Sequence, residues 1–567
     1  MKKRLVEILI SIVMLLTLLL GTTSSALAVD FTNIRVLLTI GSPTNFGIIL
    51  NGSYFITSDG NPIGGIGPRD YTVQVEGSNV SLFMDSIKVA IGGTLTLSPQ
   101  DDKTIKINHP DIGNKEYKGE FIFTAPGGRL QLVNKLNIET YLYGVLPYEM
   151  SNTFPLEALK AQAVCARTFA ATRIAGAKPT DSYDLDDTGA HAQVYGGYDQ
   201  SKDRCIQAVD ETRNKVLKYG DSAFVNCYYS ASNGGWTEIT QHRWTATEPL
   251  KAYDQIKADP FDTANPSSLQ ERLVLPVTIT AENPMQYQNW SGGVYAANSN
   301  SPVGVDTASR YLRTCALQAV KNAGYIGEVS DNIQILGFNN IVAKTYDTGS
   351  NQHHGGTSSY NGNDVTGKND CKDMTQADVT MTVMASRYAR TDEASGFLLG
   401  DVDRNGVISI ADYTFVRLYI LGRQGLPDEA IKIADVDRNG TVSIADYTLI
   451  RLHILGLKAI TGRTNDGIVW EPIQVTFTIN LPDMDVGAAY QSFFVSSLGL
   501  FTVEFDGTNW YIYQRRYGHG IGLSQRGAQQ RAKSVAEGGG GQTYDQILDF
   551  YFSNCPGYPA VTLTAMY

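Results

Sequence analysis

No Cys-x-x-Cys pair occurs in this sequence, and no histidine stands at zinc-ligand spacing from a cysteine. Zinc ribbons, zinc fingers and dithiol redox motifs are thereby excluded. Basic charge is short: 46 Lys and Arg stand against 57 Asp and Glu, for a net charge of −11. With a pI near 5.2, nucleic acid is excluded as a partner on electrostatic grounds. After the first twenty or so residues no long hydrophobic run recurs, so no stable membrane span is expected in the mature chain. Gly518–Gly522 is glycine-rich, but no βαβ unit with a downstream acid frames it, which excludes a dinucleotide loop. No motif pairs two carboxylates.

What is present begins with a targeting segment. Lys2, Lys3 and Arg4 precede an apolar run from Leu5 to Leu20, and small residues follow, ending Ala26-Leu27-Ala28. This pattern is that of a secretory signal over residues 1–28, removed after an A-x-A site. An exported chain permits disulfides among Cys165, Cys205, Cys227, Cys315, Cys371 and Cys555, but spacing does not choose the pairs. Cys165, set among alanines, reads as a small buried thiol. At 567 residues the chain is too long for one core, so two or three units are expected.

From Phe31 to about Leu136 the chain reads as short strands: IRVLLTI, YTVQVEG, NVSLFMD, TIKIN, GEFIFTA and RLQLVN, divided by Gly, Pro, Asn or Asp. Next comes YLYGVLPYEMSNTFPLEALKAQAVCARTFAA, residues 141–171. The Tyr141–Val145 run is strand-like and broken by Gly144 and Pro147, and it ends on one carboxylate, Glu149. Pro155 and Glu157 mark the first turn of a helix. Leu156, Leu159, Ala163, Ala166 and Ala170 form one stripe of mostly methyl groups. Lys160 and Arg167 share a face away from that stripe. An acid thus precedes a helix N-terminus lined by cations.

This stretch resembles the SpoIID/LytB family of bacterial cell-wall proteins. Glu139, Tyr141, Leu142, Gly144, Val145, Glu149 and Met150, followed by PLEALKAQAVCART, carry the family pattern in register. Two later segments are similar to that family as well: YYSASNGGWTE, with Asn233 before the glycine pair, and RRYGHGIGLSQRGA near the end. The resemblance implies a β-rich α+β fold and an exported lytic transglycosylase acting on peptidoglycan glycan strands. It assigns Glu149 the role of general acid and base. Arg167, His519, Ser524 and Gln525 are expected to bind substrate, with Arg167 alternatively pairing Glu139 or Glu157. Lys160 and Glu139 are expected to be structural. Apolar Val145, Leu146, Pro147 and Tyr148 would desolvate Glu149 and raise its pKa, whereas a nearby helix N-terminus or cation would lower it. Some relatives are amidase enhancers, which implies a non-catalytic, wall-binding alternative.

Between Leu250 and Arg390 the pattern is weak. Tyr346–Asp370 is rich in Gly, Ser and Asn and reads as a long loop, its His353-His354 pair solvated rather than metal-bound. Then GDVDRNGVISIADYTFVRLYILG repeats as ADVDRNGTVSIADYTLIRLHILG, offset by 34 residues. Each copy opens D-x-D-x-N-G and places Asp at position 12. Calcium takes about six to eight oxygens. The first loop offers Asp401, Asp403, Asn405, the Val407 carbonyl, Ser409 directly or through water, and Asp412. The second offers Asp435, Asp437, Asn439, Thr441, Ser443 and Asp446. Gly406 and Gly440 allow the sharp turn at position 6. The pair resembles a type I dockerin, a small all-α module with two EF-hand-like loops and two calcium ions, whose partner is a cohesin of a scaffolding protein. In dockerins, positions 10 and 11 of each loop and the following helix read the partner; here these are Ile410, Ala411, Ile444 and Ala445, with Arg417 and Arg451. A dockerin alone implies a second alternative, a plant-polysaccharide-degrading enzyme. The expected division is therefore SpoIID/LytB sequence over 30–395, dockerin over 396–460, and the last part of the SpoIID/LytB domain over 465–567.

Overall fold

The computed structural model describes residues 29–566 apart from 112, 190–191, 221–222, 241–252, 269, 289–293, 297–304, 326–332, 346–373, 389–395, 461, 463–467, 481–499, 516–517 and 553–558. The targeting segment, His353-His354, Tyr517, Cys371 and Cys555 lie outside the described residues. No helix among the described residues is long and apolar enough to cross a membrane.

The N-terminal strands pair into two antiparallel-rich sheets. One has seven strands, including Asn33–Leu38, Gln131–Asn137, Glu120–Thr124 and Thr94–Pro99; the other has six, including Asn45–Leu50, Asp70–Glu76 and Ile105–His109. Strict alternation builds the interior: in Asn33–Leu38 the residues Ile34, Val36 and Leu38 are buried while their neighbours are partly exposed. This is the period-two pattern of a strand with one dry face.

Two helices pack onto this layer. Ile138–Glu149 starts where the Asn137 side chain caps the Glu139 amide. It includes Tyr141–Val145, so the strand-like reading of that run is corrected. Gly144 is the reason: Tyr195 and the Gly197 carbonyl occupy the space a side chain there would need, so Gly144 serves a close approach rather than a break. Pro147 is tolerated in the last turn. Leu156–Gly176 follows as a helix of 21 residues. The expectation of one apolar stripe is also corrected, because this helix is buried nearly all round, from Ala158 through Ala171. Methyl side chains admit neighbours on every side.

The chain then builds a second core. Strands Gln270–Pro276, Asn509–Arg515 and Leu500–Phe505 share one sheet, and Ile333–Thr345, Met374–Tyr388 and Ile468–Asn480 form another. Leu273, Phe338, Val379, Met381 and Ile512 are buried between them. The segment after Gln270, expected to belong with the N-terminal strands, thus has its own interior. The dockerin-like repeat lies between Met374–Tyr388 and Ile468–Asn480, which pair antiparallel down to Tyr388 opposite Ile468. It therefore extends from the tip of a hairpin. Its ends meet, the Leu399 amide donating to the Gly462 carbonyl at 2.8 Å. An insert whose ends touch perturbs its host little.

The first core is finished by the C-terminal part of the chain. Tyr229–Ser230 pairs in parallel with Leu523–Ser524, and Val561–Ala565 pairs with Lys215–Tyr219. Insertion is thus nested, a repeat inside a lobe and the lobe inside the first unit.

Candidate active site

Glu149 closes the Ile138–Glu149 helix and is half-buried. Its carboxylate accepts from the Val194 amide at 3.1 Å, and the side chains of Tyr229 and Gln525 lie near enough to favour its anion. Each of these neighbours comes from a different motif: Val194 from the QVYGG stretch, Tyr229 from the strand before the Gly234-Gly235 turn, Gln525 from the first turn of the Gln525–Ala532 helix. Behind Tyr229 the polar groups form a chain. Gln193 Nε2 donates to the Tyr229 hydroxyl at 2.9 Å, and the Tyr141 hydroxyl donates to Gln193 Oε1 at 3.2 Å. Gln193 is buried, so this relay fixes the direction of the Tyr229 proton.

Burial raises the Glu149 pKa above the ordinary glutamate value, and the Val194 amide, with Tyr229 and Gln525 nearby, pulls it only partly back. The cations expected to oppose the shift are engaged elsewhere. Lys160 bridges Glu157 and Glu211, each at 2.7 Å. Arg167 is fully buried; it binds Glu139 through Nε at 3.0 Å and Nη2 at 2.6 Å, and its Nη1 reaches the Lys215 carbonyl at 3.1 Å. This corrects the substrate-binding reading of Arg167, because a guanidinium without exposed surface touches no glycan. Removing one partner of such a pair strands a buried charge. Arg167→Ala is expected to lower unfolding free energy by about 3–5 kcal/mol, measured by urea denaturation; unchanged stability with weakened glycan binding would return Arg167 to the substrate.

The glycine-rich closing motif lies directly against the Tyr228–Ala231 segment. The Gly520 amide donates to Ser230 Oγ at 3.2 Å, and the Arg526 amide to the Ala231 carbonyl at 3.0 Å. Gly522 has φ +68° and lies so close to the Tyr228 carbonyl that no other residue fits there. His519 is partly exposed, and its Nδ1 accepts from the Ile521 amide at 3.0 Å, which places any neutral-form proton on Nε2. Ser524 is corrected: it is 1% exposed, caps the Gln525–Ala532 helix by accepting from the Gly527 amide, and donates to Asp262. Its hydroxyl holds Gln525 in place and does not face a cleft.

Sequence reasoning missed the residues beneath this arrangement. Asp262, buried, accepts from Ser232 Oγ at 2.8 Å and from the Asn233 and Gly234 amides, besides Ser524. Asp259 accepts from Asn233 Nδ2 at 2.9 Å, Arg531 at 2.7 Å and the Tyr551 hydroxyl at 2.6 Å. The two carboxylates tie the Asn233-Gly234-Gly235 turn to the closing helix. Their segment carries no pattern of its own, so no local signal marks them. Tyr229 had one, since it lies in the quoted YYSASNGGWTE stretch.

In the repeat, carboxylate oxygens of Asp401, Asp403 and Asp412 lie within 4.8 Å of one another, as do those of Asp435, Asp437 and Asp446. Gly406 and Gly440 both have φ +89°. Asp435 Oδ1 is buried without a hydrogen-bond partner, an orphaned acceptor that a hard cation would satisfy. Ser409 and Ser443 cap the helices Ile410–Ile420 and Ile444–Ile454, each in a capping box with Asp412 or Asp446. Ile410 and Ile444 are 72% and 69% exposed, one at the head of each helix.

Comparison with known proteins agrees with both segments. Residues 126–219 match the stage II sporulation protein family, SpoIID, and residues 399–455 match the dockerin type I domain. Among curated proteins, an uncharacterized protein of Brachyspira hyodysenteriae is 40% identical over 31% of this chain and 46% of its own length. The amidase enhancer of Bacillus subtilis is 32% identical over 34% of this chain and 25% of its own length. Stage II sporulation protein D of Bacillus amyloliquefaciens is 32% identical over 25% of this chain and 43% of its own length. The chain thus spans less than half the length of these relatives. A solved Acetivibrio cellulolyticus complex of the third cohesin of ScaC with the ScaB dockerin shares 36% identity over 12% of this chain and 92% of that one, with a TM-score of 0.11. One polypeptide therefore joins a SpoIID segment at residues 126–219 to a type I dockerin segment at residues 399–455.

Proposed function

We propose that the protein is an exported peptidoglycan lytic transglycosylase, held by its dockerin to a cohesin-bearing scaffold. One observation carries the enzymatic reading. A half-buried carboxyl group with a raised pKa sits beside residues of three separated motifs, and a chain of polar groups running from buried Tyr141 through Gln193 ends on Tyr229 next to it.

Cleaving a glycosidic bond requires a proton for the leaving oxygen and a nucleophile for the anomeric carbon. Glu149, whose burial favours the protonated form, supplies the proton. The 6-hydroxyl of the muramyl sugar then attacks its own C1, and Glu149, now an anion, takes the hydroxyl proton. The C1–O bond to the neighbouring sugar breaks, a C1–O6 bond forms, and no water is consumed. One carboxylate suffices, which fits a site where, among the described residues, no second carboxylate bonds to Glu149. The anion formed midway is stabilised by the Val194 amide, whose hydrogen bond strengthens as charge develops, with Tyr229 and Gln525 close by. Partly exposed His519, with Gln525, would contact the sugar in this reading.

Asp401, Asp403, Asn405, Asp412 and the Val407 carbonyl would hold one calcium ion; Asp435, Asp437, Asn439, Asp446 and the Thr441 carbonyl would hold another. Calcium there neutralises crowded carboxylates and fixes each loop against its helix.

The test is the product. Purified glycan strands incubated with the full chain should yield 1,6-anhydro-muramyl ends in mass spectra. Reducing ends instead would mean hydrolysis with water. The match to an amidase enhancer favours a second reading, strand binding that activates a partner hydrolase; intact strands that co-sediment with the protein would favour it.

A further inference from the structure

An open cleft of about 810 Å³ lies between the β-hairpin Ile105–His109/Gly113–Tyr117 and the Gly196–Gln200 loop. One of its walls is Tyr148, the chain neighbour of Glu149. Tyr148 is 46% exposed, yet it is held firmly: its hydroxyl donates to the Gly196 carbonyl at 3.0 Å, and Gly196 leaves room for the ring only because it has no side chain. Lys115 Nζ lies 5.4 Å from that ring, and among the described residues Lys115 makes no ion pair, so it is a displaceable cover. Across the cleft Tyr198 is fixed beneath Lys118, 4.3 Å from the ring, and Lys118 is itself held by Asp102 at 2.8 Å.

The lining is amide-rich, with Asn51, Asn114 and Gln200, and its three lysines are balanced by three carboxylates. A polyanion finds no net charge there, and an apolar ligand finds too little hydrocarbon. Two tyrosine rings among amides and alternating donors and acceptors match a neutral sugar carrying hydroxyl and N-acetyl groups. The hairpin side lies outside the residues matched to the SpoIID family, 126–219, so this half of the cleft belongs to this chain's own strands.

We propose that the cleft is a distal sugar subsite, which takes N-acetylhexosamine units of the same strand whose scissile linkage lies at Glu149. Tyr148, a wall of the cleft, is the chain neighbour of Glu149. The inference rests on the reading of Glu149 as the cleavage centre, but its test does not require cleavage.

The full-length Glu149→Gln protein is titrated with N-acetylglucosamine oligomers from dimer to hexamer by calorimetry. Affinity should rise about tenfold from trimer to hexamer. In Glu149→Gln/Tyr198→Ala the hexamer should bind no better than the trimer, with trimer affinity unchanged. Asn114→Trp, at an exposed hairpin position, should do the same by filling the cleft, and it guards against a folding defect at Tyr198. Affinity independent of length, or the same length dependence in both variants, overturns the subsite. Wild type that fails to cleave while the length dependence stands would refute the enzymatic reading and leave the subsite intact.

Discussion

Replacing Glu149 with Gln is expected to lower the rate of glycan-strand cleavage by about three to four orders of magnitude, while strand binding survives. The amide keeps an oxygen to accept from Val194 and occupies the same volume, so shape is conserved and only the transferable proton is lost. Mass spectra should show anhydro ends vanishing in step with the rate. The same substitution has a stability signature of opposite sign. Burial raises the carboxyl pKa in the folded state, so the folded chain holds this proton more tightly than the unfolded one. The stabilisation is complete below the unfolded value and fades as pH rises from there through the folded pKa. The uncharged amide escapes that loss, so in a melting series Glu149→Gln should gain on wild type as pH increases across this window. Loss of activity joined to gain of stability is the mark of a strained functional group; a surface carboxylate would show neither.

The second large effect concerns calcium. Chelation should abolish cohesin capture and erase the helical signal of Ile410–Ile420 and Ile444–Ile454, while glycan cleavage continues. Each loop crowds three carboxylates within 4.8 Å. Burial, and after it the neighbouring acid, raises the pKa of both Asp401 and Asp435. An ion that binds only the folded form adds about 3 kcal/mol at a hundredfold excess over its Kd, comparable to the stability of so small a core. That core is only Val402, Ile408, Val416, Ile433, Ile450 and a few alanines, with Tyr413 stacked on Tyr447 at 4.3 Å. Magnesium, smaller and strictly octahedral, should not substitute. Activity survives because the module stands on a hairpin tip of the second core, joined to it at Tyr388 and Ile468. Capture that persists in excess chelator would remove calcium from the account.

Some of this was legible without coordinates. The repeat was, because metal loops write their ligands at fixed local spacings, and the alternating N-terminal strands were, because period two needs no partner to be seen. Glu149 was singled out by its motif, and its partial burial was foreshadowed by the apolar residues before it. The error over Tyr141–Val145 arose from treating Gly144 as a breaker; the Tyr195 ring that makes glycine necessary there is supplied by a loop distant in sequence. Arg167 misled for a related reason. On an isolated helix it occupies the polar face, and only the arrival of Glu139, Val209 and Lys215 turns that face inward. Asp259 and Asp262 left no trace, because their partners Asn233, Ser524, Arg531 and Tyr551 come from distant parts of the chain. The nested second core was hidden because its alternating strands come from both sides of the repeat, and only their pairing shows that they share one interior.

The central claim is that the Glu149 carboxyl holds its proton to higher pH than an ordinary glutamate, as the proposed cleavage requires. Titrating the side-chain carboxyl carbon by nuclear magnetic resonance in the intact protein, with Glu149→Gln used to assign the signal, measures this directly. The account predicts a midpoint above the ordinary glutamate range. A midpoint at or below that range would leave the group an anion with nothing to donate, and would contradict it.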